Sequence, residues 1–121
     1  MVGQLLATAG LVSASDLTLI ECDRALHRAT REDRIAEGDA AARRATLARA
    51  ASHWVLLRIG PEVVERARRP FPLEPVRTLD ALHIATALVV RGAIADTDLL
   101  SLDDRVRACG TALGFRILPQ P

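Results

Sequence analysis

The spacing of apolar residues along this chain separates helices from strands. Apolar residues recur every three or four positions over residues 1–9, 15–32, 37–53, 61–68, 78–91 and 103–113, which predicts six helices. Short unbroken apolar runs at 11–14, 54–59, 99–102 and 115–118 predict four strands. Because the strands alternate with helices, the pattern predicts an α/β fold with parallel strand pairing.

The segment 78–91 is an apolar helix with an acidic residue in its first turn. We expect Thr78 to cap the helix, with Leu79 and Ala85 among the residues of a broad buried face. Asp80 would then lie at the positive end of the helix dipole. Taken singly, the position of Asp80 is explained by its favourable interaction with the helix dipole. A role as a metal ligand therefore requires further carboxylates nearby.

Two further acids follow predicted strands. Glu21 lies early in the helix after strand 11–14, and Asp103 lies between strand 99–102 and the next helix. Ligand sites of parallel α/β folds form at the carboxyl ends of strands. Carboxylates that converge there repel one another unless a cation neutralises them, and Mg²⁺ and Mn²⁺ prefer such oxygen ligands.

Each of these acids also has a purely structural interpretation. Asp103 can serve only as a helix N-cap, and Glu21 can pair with Arg24 or Arg28 along one helix face. Asp104 is expected to face solvent as a first-turn acid, and Asp98 is expected to be a turn residue. The metal-site hypothesis therefore rests on Glu21, Asp80 and Asp103 taken together.

Composition bounds the class of protein. With 121 residues the chain is long enough for one domain, 1–121, and all sixteen basic residues are arginine. A net charge of +1 gives no global attraction to nucleic acid, so any RNA contact must come from a local arginine cluster. Cys22 and Cys109 lack metal-type spacing and are expected to be small buried residues in a reducing compartment. No signal peptide or membrane span is predicted, so we expect a cytoplasmic protein.

Two motifs carry a family resemblance. The sequence R-T-L-D-A-L-H-I-A-T-A-L at 77–88, followed by L-L-S-L-D-D-R at 99–105, resembles the C-terminal half of a PIN-domain ribonuclease of the VapC toxin type. Residues 11–21 are similar to the family's second strand and the helix with its second acidic residue. Residues 112–118 are similar to the final helix, glycine turn and last strand. The resemblance implies a PIN-like three-layer fold with a central parallel sheet.

One part of the family pattern is missing. PIN domains open with a central strand that ends in Asp, whereas residues 1–7 have a helical pattern and no Asp precedes Asp16. We therefore expect the first, central strand and one of four acidic residues to be absent from this chain. Translation of the DNA upstream of Met1 would distinguish a misplaced start from a truncated remnant.

The resemblance implies a function and a set of site residues. It implies a metal-dependent endoribonuclease toxin that cleaves RNA phosphodiesters, with Glu21, Asp80 and Asp103 as catalytic ligands of Mg²⁺ or Mn²⁺. The arginines that flank these acids would hold RNA phosphates: Arg77, Arg105 and Arg107. It also implies neutralisation by a cognate antitoxin protein and a homodimer. The alternative is a catalytically inactive PIN remnant that serves as an antitoxin-binding module.

Overall fold

The computed structural model describes all residues, 1–121, and contains six helices and four short strands. The helices are α1 (Val2–Thr8), α2 (Asp16–Arg31), α3 (Glu37–Ala51), α4 (Pro61–Ala67), α5 (Thr78–Ala93) and α6 (Asp104–Ala112). The strands are β1 (Ser13–Ser15), β2 (Val55–Leu57), β3 (Leu99–Leu100) and β4 (Ile117–Leu118). All ten elements overlap the predicted segments, and the strands are shorter than predicted or, for β1, shifted by one to two residues. None of the helices combines the length and apolar character needed to cross a bilayer.

The chain divides into two compact units, which we call the larger unit (residues 1–10 and 58–121) and the smaller unit (residues 11–57). In the smaller unit β1 pairs with β2 in parallel, with Ser13 opposite Val55. In the larger unit β3 pairs with β4 in parallel, with Leu99 opposite Ile117. The α/β class with parallel pairing is confirmed. Each strand is hydrogen-bonded to one neighbour only, so the strands form two separate pairs where one sheet was expected.

In the smaller unit, the start of α2 is fixed by a buried serine. The Ser15 hydroxyl accepts a hydrogen bond from the amide of Leu17 at 3.2 Å and satisfies one of the free donors of the first turn. Ser15 is only 3% exposed, so the cap also satisfies a polar group in the interior. Ser15, the first residue of the helix predicted over 15–32, is therefore the N-cap of α2.

The core of the larger unit lies where α5 and α6 meet the loop after α4. Its buried members form one cluster: Phe71, Ala81, Ile84, Val106 and Cys109. The expected buried face of α5 is corrected at Leu79, which is 47% exposed. Leu79 and Ala81 are two positions apart and therefore point to different sides of the helix. The buried stripe follows Ala81, Ile84 and Ala85 instead.

Helix α6 ends in a glycine turn, as its sequence predicts. Gly114 has a φ of +90°, a conformation that residues with a Cβ rarely adopt. Its amide donates to the carbonyl of Thr111, and the amide of Phe115 donates to the carbonyl of Gly110, both at 3.0 Å. These two bonds form a Schellman motif, which stops the helix and directs the chain into β4.

Two helical glycines should respond oppositely to alanine. A Cβ on Gly110 would lie 2.6 Å from Leu99 Cδ2 and 2.8 Å from Ile117 Cδ1, whereas a Cβ on Gly92 meets nothing within 4 Å. We expect Gly92→Ala to stabilise the protein by about 0.5 kcal/mol through helix propensity. Gly110→Ala should destabilise it by about 1 kcal/mol, because crowding outweighs the same gain. Urea unfolding of both variants measures this, and equal stabilisation by the two would show that the side chains of Leu99 and Ile117 move aside without cost.

Candidate active site

Asp80 lies in the first turn of α5, as expected, but the cap of that helix differs from the prediction. Arg77 occupies the N-cap position with an extended backbone and no side-chain cap bond, and its carbonyl accepts the first helical bond, from the amide of Ala81 at 2.8 Å. Thr78 is already helical, so the prediction that Thr78 caps α5 is wrong. Because no side chain caps the helix, the positive end of the helix dipole is complemented by the carboxylate of Asp80 in the first turn.

Asp80 lines a half-open cavity of about 270 Å³ together with two of the predicted RNA-contacting arginines, Arg77 and Arg105. Arg77 Nε lies 3.7 Å from Asp80 Oδ2. The side chain of Asp80 is 24% exposed and that of Arg77 is 72% exposed, so the pair is open to solvent on the arginine side. A pair this exposed contributes little to stability. Three of the six predicted site residues therefore share one cavity of the larger unit.

One wall of the cavity is the loop between α4 and α5, and Glu74 holds its shape. Glu74 Oε2 accepts a hydrogen bond from the amide of Phe71 at 2.7 Å, and Oε1 accepts one from the amide of Val76 at 2.8 Å. Sequence reasoning missed this residue. The available signal was an acid placed between Pro72 and Pro75, in a loop whose remaining amides need acceptors.

Asp103 is the N-cap of α6. Its Oδ1 accepts hydrogen bonds from the amides of Arg105 at 2.9 Å and Val106 at 3.0 Å. The N-cap role expected for Asp103 is thus confirmed, and this cap holds in place the first turn that carries Arg105. Asp103 does not line the cavity at Asp80. Asp104 follows as an exposed first-turn acid, as expected.

Glu21 is an exposed residue of α2 and belongs to the smaller unit. No three His, Cys, Asp or Glu side chains are grouped so that they would hold a metal ion. A cation shared by Glu21, Asp80 and Asp103 therefore stays a prediction.

Arg107 has a role that the sequence did not reveal. Its guanidinium donates to three backbone carbonyls, those of Ser101 at 2.7 Å, Leu118 at 3.0 Å and Pro119 at 2.7 Å. These bonds tie the end of β3 to the end of β4. Near the other end of the same pair, Arg116 donates to Asp98, and this ion pair raises the pKa of Arg116 above its ordinary value.

Both thiols should react slowly in the folded protein. Burial, followed by the charges of Asp23 and Glu21, raises the pKa of Cys22 above its ordinary value. Burial also raises the pKa of Cys109, which is 1% exposed. Since the thiolate is the reactive form, we expect iodoacetamide at pH 8 to label Cys109 only after unfolding and Cys22 slowly in the native state, as measured by peptide mass spectrometry.

The same shifts set a pH dependence. Both folded-state pKa values lie above the ordinary 9.0, so the native thiols keep their protons when those of the unfolded chain ionise. The free energy of unfolding should fall as pH rises above about 9. A Cys109→Ala variant should lose part of that dependence. In the iodoacetamide experiment, equal labelling of Cys109 before and after unfolding would contradict its burial.

Comparison with known proteins gives the family. The model of the PIN domain family matches residues 2–110 of this chain. Over 70 residues the chain is also 39% identical to Ribonuclease VapC46 of Mycobacterium tuberculosis (strain ATCC 25618 / H37Rv), a match that covers 58% of this chain and 52% of the relative. The matched segment thus spans about half the length of that relative. The chain belongs to the PIN domain family, and the VapC-type resemblance of its sequence is confirmed.

Proposed function

We propose that this chain is a metal-dependent endoribonuclease of the toxin type, which cleaves phosphodiester bonds of RNA. The observation that carries the proposal is the cavity in which Asp80 lies with Arg77 and Arg105. The cavity combines an acid suited to a cation with two cations suited to phosphate. A relative named as a ribonuclease supports the same conclusion.

The family resemblance implies Glu21, Asp80 and Asp103 as ligands of Mg²⁺ or Mn²⁺, and of these we propose Asp80 as the ligand that the cavity of the larger unit provides. Carboxylate oxygens are suitable ligands for either ion. Both capping bonds of Asp103 go to Oδ1, so Oδ2 can coordinate a cation. Such an ion, when bound, supplies positive charge at the phosphate and a water of lowered pKa. The carboxylates of the protein position the ion, and its arginines hold the RNA.

The two arginines are proposed to position the RNA backbone. Arg77 and Arg105 line the cavity from different elements, the start of α5 and the first turn of α6. Two guanidinium groups at one opening can hold neighbouring phosphates of a single RNA strand. These contacts fix which phosphate of the RNA lies over Asp80. Arg107 is bound to three carbonyls, and we therefore leave it out of the proposed RNA contacts.

The test is cleavage of single-stranded and looped RNA by the purified protein in Mg²⁺ or Mn²⁺, with a parallel sample in EDTA. Cleavage products that disappear in EDTA and return with added metal are expected. A folded preparation that binds a partner but cuts no RNA under either condition would overturn the nuclease proposal. It would favour the alternative function, an inactive interaction module.

We also propose a cognate antitoxin as partner, a homodimer and a cytoplasmic location. The homodimer has one structural argument: each two-stranded sheet has free edges, and Val55 and Leu56 of β2 are 48% and 37% exposed. Unpaired strand edges with apolar side chains favour association. Light scattering after size-exclusion chromatography should give twice the mass of the chain, and a monomer at high concentration would contradict the dimer.

A further inference from the structure

The cavity at Asp80 has two chemically different parts. Four lining residues are charged, Glu74, Arg77, Asp80 and Arg105, and the other six are apolar and include Val76, Ile84 and Val106. Ile84 is fully buried and Val106 is 7% exposed, so this apolar part is continuous with the core and is firmly held. A site that only gripped phosphate and metal would have no use for an apolar recess.

The size of the cavity restricts its occupant. Its volume of about 270 Å³ lies just below the range of pockets that hold drug-sized ligands, about 300–1,000 Å³. A single planar ring system of the size of a nucleobase fits within such a volume. Since the cavity is half open and the side chain of Arg77 is 72% exposed, the rest of a larger ligand can remain outside, along the arginines.

We propose that this recess receives one unstacked nucleobase of the RNA, beside the phosphate that is cleaved. The base contacts the apolar wall of Val76 and Val106, and its backbone lies across Arg77 and Arg105. The chain would thereby select single-stranded or looped RNA, because a base within a duplex cannot leave its stack without an energetic cost. This inference rests on the proposed ribonuclease function and adds how the same site chooses its substrate.

Ala108 gives the means of testing the recess without changing the charges. Ala108 is an exposed residue of α6 that lines the cavity, and Ala112 is an exposed alanine one turn further along the same helix that does not line it. Leucine is a good helix former, so both Ala108→Leu and Ala112→Leu should fold. Only the first places a larger side chain in the recess.

The experiment measures the binding of fluorescein-labelled ten-nucleotide single-stranded RNAs of one mixed sequence by fluorescence anisotropy. Each RNA of the series has a base-free ribose at a different position, and Ca²⁺ replaces Mg²⁺ because it binds oxygen ligands with less demanding geometry. We expect one position at which loss of the base weakens binding about tenfold, which corresponds to about 1.4 kcal/mol. Ala108→Leu should weaken binding of the intact RNA to the same extent and make the protein indifferent to that base-free position.

The outcomes separate the two proposals. If Ala108→Leu and Ala112→Leu bind every RNA alike, or if no single base-free position matters, the base recess is wrong while metal-dependent cleavage still stands. If the base-free position matters and Ala108→Leu removes its effect, but no RNA is cleaved in Mg²⁺ or Mn²⁺, the recess is supported and the nuclease proposal fails. Absence of binding to any RNA, together with absence of cleavage in Mg²⁺ and Mn²⁺, overturns both.

Discussion

An Asp80→Asn variant is expected to lose RNA cleavage by at least about 100-fold, since changes merely behind metal ligands already cost 10–100-fold. Asparagine keeps the shape of the side chain and removes the charge on which cation affinity depends. Asp80 is the one proposed ligand that lines the cavity with Arg77 and Arg105, so we expect the largest single effect there. Initial rates on a labelled RNA, with Mn²⁺ affinity measured by calorimetry, give both readouts.

Asp104→Asn is the matched control. Asp104, like Asp80, is an acid in the first turn of a helix, and its removal costs a similar helix-dipole contribution of about 0.3–1 kcal/mol. It is exposed, and we place it outside the metal site. Equal loss of cleavage in the two variants would mean that helix stability, and not a ligand, explains Asp80. Unchanged Mn²⁺ affinity in Asp80→Asn would exclude it as a ligand.

Arg107→Ala should produce the largest loss of stability among the predicted site residues, about 3 kcal/mol, since its bonds are charge-assisted and partly buried. Three carbonyls would lose their donor at once, and the join between β3 and β4 would open. Chemical denaturation followed by circular dichroism measures the change.

Arg105→Ala separates stability from RNA binding on the same helix. The structure gives Arg105 no side-chain bond to a carbonyl, and the residue is exposed, so its removal should change stability by less than about 0.5 kcal/mol. We expect weaker RNA binding and a shallower salt dependence instead. A strong loss of RNA affinity in an Arg107→Ala protein that remains folded would restore Arg107 as a phosphate contact.

Local signals in the sequence determined the elements. The order of helices and strands followed from the spacing of apolar residues. The cap of α6 by Asp103 and the glycine turn after it also followed from the sequence, because caps and turns depend on residues close in the chain. Parallel pairing followed from the alternation of strands and helices. The family also followed from local motifs, since the segments at 77–88 and 99–105 resemble the PIN pattern and the family model matches residues 2–110.

The tertiary structure decided which side chains are used for what. Arg107 donates to the carbonyls of Leu118 and Pro119, which lie 11 and 12 positions away and which no residue spacing identifies as partners. The buried face of α5 was likewise set by what it packs against, Phe71 and the residues of α6, so Leu79 is left exposed. Residue type and position fix local hydrogen bonding, whereas burial and long-range donors depend on which elements meet, and that is known only once the chain is folded.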